Sequence, residues 1–111
     1  MEEKSLGKIT FAEFGQCSDR PFLFGLHLCF EFGGGGSGCC VGSKYMVNIS
    51  KECKWKNIED RQKRMLEIIE FTDETLKDAK VNYVSELINK PVEVTLENSW
   101  FKDFRILTEV I

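Results

Sequence analysis

Between Phe22 and Phe32 an apolar residue stands at every second position: Phe22, Phe24, Leu26, Leu28, Phe30 and Phe32, with Leu23, Gly25, His27, Cys29 and Glu31 between them. A period of two sends successive side chains to opposite faces, so this run predicts a strand with one face in the core. Upstream, Lys8 to Phe14 is rich in β-branched and aromatic residues and stops at Gly15, which predicts a preceding strand. The polar string Gln16, Cys17, Ser18, Asp19, Arg20 ahead of Pro21 has hairpin-loop composition. Downstream, Tyr45, Val47 and Ile49 alternate with Met46 and Asn48, which gives a third strand pairing with the second. Near the end Val92, Val94 and Leu96 alternate with Glu93, Thr95 and Glu97. Asn98-Ser99 then turns the chain into a strand from Trp100 to about Val110. Trp100 is expected in the core, sharing a face with Phe104 and Ile106, whereas Trp55, among lysines, is more open.

From Asn57 to Lys80 the spacing changes to sevens split into threes and fours, carried by Ile58, Met65, Ile69, Leu76 and Ala79 with Thr72 between. Leu66, Ile68 and Phe71 widen the stripe, which suits an amphipathic helix lying across a sheet. Asn57 is a fitting N-cap, and Glu59 and Asp60 place negative charge at the positive end of the helix dipole. A short helix from Tyr83 to Ile88 follows, ended by Asn89, Lys90 and Pro91. The fold class is therefore α+β: an antiparallel sheet of about five strands, in the order β-β-β-α-α-β-β, with one long helix on one face. At 111 residues the chain reads as a single domain, 1–111.

The formal charge of -3, with no concentrated Lys/Arg block, argues against duplex nucleic acid as a partner. The charged start and the interrupted apolar run Pro21–Phe32 argue against an export signal and a membrane span, so a cytoplasmic protein is expected. In that setting the five cysteines, an odd number, are expected as free thiols, and neighbouring Cys39 and Cys40 are poorly placed to bond each other.

Gly33 to Gly42 reads G-G-G-G-S-G-C-C-V-G, a tract that predicts a loop rather than an element interior. Its glycines let backbone N–H groups approach an anion, and Lys44, Lys51, Lys54 and Lys56 follow with only Glu52 opposing. The tract is no dinucleotide fingerprint, since it leads into a strand, and no Walker A loop, since Cys39 and Cys40 follow Gly38. No C-x-x-C and a lone histidine give no zinc signature, and no cofactor is called for. His27 and Cys29 share the non-core face of their strand, but i and i+2 side chains stand roughly 7 Å apart, so packing is the expected role rather than catalysis. On the long helix Glu67, Glu70, Asp73, Glu74 and Asp78 alternate with basic residues as a solvated face.

D-R-P-F-L-F-G-L running into the glycines, and the terminal K-P-V-E-V-T-L-E-N-S-W-F-K-D-F-R-I-L-T-E-V-I, resemble small bacteriophage- and prophage-encoded proteins with an aromatic hairpin, a Gly-rich tip, a helix and a closing hairpin. The resemblance implies a compact, non-enzymatic phage protein, with counter-defence prominent among its jobs. One version sequesters a cyclic-nucleotide immune signal without cleaving it. Gly34, Gly36, Ser37 and Gly38 would lie near the phosphates, Ser43 and Lys44 beside them and Trp55 on a base, and a homo-oligomer would complete the pocket. The alternative is a protein inhibitor of a host defence nuclease, of anti-CRISPR type, acting through the acidic helix face. A structural or regulatory phage interaction protein is the third reading.

Overall fold

The computed structural model describes residues 2–17, 20–34, 36–41, 45–49 and 58–110. One antiparallel sheet holds β1 (Glu2–Cys17), β2 (Arg20–Phe32), β3 (Ser37–Val41), β4 (Met46–Asn48), β5 (Pro91–Glu97) and β6 (Trp100–Ile106). The order across it is β3-β2-β1-β5-β6, and β4 follows β3 along the same edge of β2. A single long helix, α1 (Ile58–Ala79), and 3₁₀ turns at Val84–Leu87 and Thr108–Val110 complete the described chain. The α+β class stands, with six strands in place of about five. The added strand comes from the glycine tract, whose second half, Ser37–Val41, is not a loop. The available edge of β2 pairs with it, and tertiary pairing outweighs the weak strand propensity of glycine.

β1 is long because it serves two neighbours in turn. Residues 7–17 pair with β2, and residues 2–8 pair with β5. The two hairpins are therefore offset along β1 and overlap only near Gly7 and Lys8.

Besides a register shift at Gln16/Cys17 next to the hairpin end, two bulges reset the alternation of side chains. Ile9 faces Phe30 and Phe11 faces Cys29, which makes Thr10 an extra residue, so Ile9 and Ala12 both fall on the core face. On β6, Thr95 faces Asp103 and Leu96 faces Phe101, which makes Lys102 the extra residue. Trp100 consequently points away from the face that holds Phe104 and Ile106. It is 79 % exposed, a correction to its expected place in the core. The same bulge, with Lys102 and Arg105, blunts β6 as an edge strand. Arg105 meets Glu93 at 3.1 Å and Glu109 at 3.2 Å, and Lys102 meets Glu2 at 3.1 Å and Glu97 at 3.4 Å.

The core lies between the sheet and α1. Ile9, Leu26, Leu28, Phe30, Val92, Val94, Phe104 and Ile106 come from the sheet, and Ala79 and Leu87 close over them. Phe71 of α1 stacks on Tyr45 with ring centroids 4.2 Å apart, and Phe104 packs on Phe30 at 4.8 Å. That stack sets the rotation of the helix. Ile68, Thr72, Thr75 and Ala79 are buried, whereas Met65 and Ile69, expected in the core stripe, are exposed. The two buried threonine hydroxyls donate to the carbonyls of Ile68 and Phe71 at 2.8 Å, which satisfies them within the helix. Lys80 takes φ 59° after the last helical residue, and the Val81 N–H donates to the Leu76 carbonyl, a Schellman closure. The expected N-cap Asn57 lies outside the described residues. The expected short helix is present as the 3₁₀ turn Val84–Leu87. On β2 the core face runs from Leu26 to Phe32; Phe22 and Phe24, towards the β1–β2 turn, are exposed, and Phe24 opens on a cleft beside α1.

Tyr45 gives this core a pH signature. Burial first, and then the negative charge of Asp103, push its phenol well above the ordinary value. The folded protein thus keeps a proton that the unfolded chain releases above about pH 10, so the stability present below that pH is lost as pH rises. Urea unfolding at several alkaline pH values is expected to show this fall, and Tyr45→Phe is expected to make it shallower. An identical slope in the variant would refute the assignment to Tyr45.

Candidate functional site

Gly33, Gly34 and Gly36 are turn residues between β2 and β3, with Phe32 directly opposite Ser37. Gly33 and Gly34 take φ of 65° and 76°, left-handed values that glycine alone adopts without cost. The Gly33 N–H donates to the Leu6 carbonyl at 3.3 Å and ties the turn to β1. A Cβ placed on Gly34 would meet nothing within 4 Å, so the turn opens to solvent on that side.

Beside this turn lies a wide depression of about 430 Å³, lined by Leu6, Gly7, Lys8, Glu31, Phe32 and Gly34. It exists because β2 ends at Phe32, opposite Gly7, while β1 runs on to Glu2 paired with β5. Gly7 is required where the strands cross: a Cβ there would run into the Glu31 carbonyl oxygen and sit 2.8 Å from the Phe32 Cα. Lys8 and Glu31 face each other across β1 and β2, so the rim offers one cation and one anion.

Of the residues singled out by sequence, Gly34 and Gly36 lie in the turn and Ser37 and Gly38 begin β3, so these four are brought together. Gly38 belongs to the strand, and a Cβ on it would come within 2.9 Å of the Phe30 carbonyl oxygen. Its lack of a side chain is explained by strand approach. Ser43, Lys44 and Trp55 lie outside the described residues, as do Lys51, Lys54 and Lys56. Sequence reasoning missed Leu6 and Lys8 as neighbours of the turn. The available signal was Gly7, a glycine amid strand-forming residues, which often marks a close backbone approach.

On the helix-free face, Phe11 and His27 meet edge to face with ring centroids 5.3 Å apart. Cys29 lies two residues further along β2 and is bonded to Cys40 of β3. This corrects the expectation of free thiols: the two residues stand directly opposite in the register, where side chains of an antiparallel pair approach most closely. Cys29 is thus no nucleophile for His27, whose contact is with an aromatic ring. Cys39 is free and half-buried, and burial pushes its thiol pKa up.

A third feature is an apolar cleft of about 80 Å³ between α1 and the hairpin, lined by residues that include Phe14, Phe24, Val47, Met65 and Ile69. Leu66 and Ile69 beside it are 57 % and 55 % exposed. Glu67, Glu70 and Glu74 are exposed on α1, and Glu67 lies 3.7 Å from Arg64. Among the described residues no group of three or more His, Cys, Asp or Glu is placed to hold a metal ion, and no helix is long and apolar enough to cross a membrane. Comparison of the chain with protein families, curated proteins and solved structures yields no match.

Proposed function

We propose that this protein holds a small phosphate-bearing ligand of the cyclic-nucleotide class at the glycine turn, beside Gly34 and Gly36. On this reading it sequesters the signal without cleaving it, as a phage or prophage protein countering bacterial immunity. The observation that carries the reading is the depression of about 430 Å³ at the turn. That volume falls within the range of small-molecule sites, which is roughly 300–1,000 Å³. Its wall at Gly34 has no side chain to obstruct a phosphate or a flat ring, and on its rim Lys8 supplies the positive charge for the phosphate while Glu31 opposite it leaves the rim with no net charge. Small-molecule sites bury most of their ligand, and a depression this open does so once a second copy of the chain covers it, hence a homo-oligomer.

Calorimetric titration with a panel of cyclic di- and trinucleotides is expected to find a ligand whose affinity falls at least about tenfold, or ~1.4 kcal/mol, in Lys8→Glu. No binding by any member of the panel, or binding indifferent to Lys8→Glu, would sink the proposal. The exposed flank of α1 favours the protein-inhibitor reading as the second. There the joint change Leu66→Glu with Ile69→Glu should abolish inhibition of a host nuclease while leaving ligand titrations untouched.

A further inference from the structure

We propose that the Cys29–Cys40 disulfide is a thiol-exchange site, a reversible latch that holds β3, and with it the glycine turn, against β2. The latch stands on geometry alone; its bearing on ligand affinity rests on the phosphate-ligand reading above.

Among the described residues β3 is an edge strand, held by its ladder to β2 and by the core contacts of Cys39 and Val41. Val41 alone among its residues is buried, Cys39 is half-buried, and Ser37, Gly38 and Cys40 are exposed. The disulfide adds a covalent cross-strand tie to that ladder. The bond lies on the face that α1 leaves uncovered, and Cys40 is exposed while Cys29 is half-buried, which makes the Cys40 Sγ the point of attack proposed for an external thiolate. Cys39, a free thiol among the described residues, is not the attacking group, because it faces Phe30 on the core side of β3 while its neighbour Cys40 faces the other way; the reductant is an external dithiol.

The chemistry is exchange with a dithiol. A thiolate of the reagent attacks the Cys40 Sγ, the S–S bond breaks, and its electron pair leaves on the Cys29 Sγ, which takes up a proton. The second thiol of the reagent then displaces Cys40 from the mixed disulfide. The protein gains two protons and two electrons, and the reagent becomes a disulfide. Opening the latch frees a loop whose ends lie 11 positions apart, a constraint worth about 100-fold in the local opening equilibrium.

The test uses the wild-type chain purified without reductant, with and without dithiothreitol. Alkylation is expected to label Cys29 and Cys40 only after reduction. Amide hydrogen exchange at residues 37–41 is expected to rise by up to about 100-fold on reduction, while the β1–β5 ladder keeps its protection. The double variant Cys29→Ser with Cys40→Ser should show the faster exchange under both conditions. Full labelling before reduction would overturn the proposal, and so would unchanged exchange at residues 37–41 afterwards. Exchange is read without any ligand, so a failure to bind nucleotides in both states would count against the ligand reading alone.

Discussion

Phe104→Ala is expected to cost about 4 kcal/mol, a large share of the roughly 5–15 kcal/mol that holds an ordinary domain together. The ring sits where three parts of the fold meet. Its centroid lies 4.8 Å from Phe30 of β2, 6.1 Å from Tyr45 and 6.0 Å from Phe71 of α1. Truncation to a methyl removes the transfer free energy of a buried aromatic, the edge-to-face contacts and part of the packing of its neighbours, which close the resulting cavity only in part. Urea unfolding should show a lower midpoint with an unchanged slope. A loss below about 1.5 kcal/mol would mean that α1 does not seat on β6 through this ring.

Gly25→Val is expected to cost about 3 kcal/mol for a different reason, overpacking against backbone. Gly25 sits in β2 between Gly15 of β1 and Met46 of β4. A Cβ at Gly25 would run into the Tyr45 carbonyl oxygen and come within 2.9 Å of the Met46 Cα. Neither atom belongs to a flexible side chain, so β4 must move away, and the Leu26 N–H loses its 3.0 Å hydrogen bond to that same carbonyl. The loss of stability should come with faster amide exchange in residues 46–48. A stability within 0.5 kcal/mol of wild type, in place of that ~3, would show that β4 approaches β2 less closely than described.

What the sequence disclosed followed from periodicity, and what it concealed followed from breaks in periodicity. Leu26 to Phe32 declare their buried face by alternation, and the helix declares its length through its spacing and acidic first turn. Trp100 misleads because the alternation of β6 is reset at Lys102, and a bulge leaves no mark in a single sequence. Met65 and Ile69 share the spacing of core residues and are nevertheless exposed; what decides is which part of α1 meets the Tyr45–Phe104 cluster. β3 was invisible because glycines argue locally for a loop, and only the edge of β2 makes a strand of them. The turn glycines were legible as a candidate site. Lys8 and Leu6 were not, because the offset of the two hairpins along β1 brings them there.

That offset also orders the fold in time. The amino-terminal half of β1 finds its partner only in β5, and Gly7 and Val92 stand 85 positions apart in the chain. β2 ends at Phe32 and β5 at Glu97, so during synthesis at about 5–20 residues per second the completed β1–β2 hairpin waits roughly 3–13 s for its second neighbour to be made. Through that interval an extended, paired-on-one-side strand is presented to the cell, and the moment of greatest exposure to aggregation or to chaperones falls before β5 appears rather than in the finished protein.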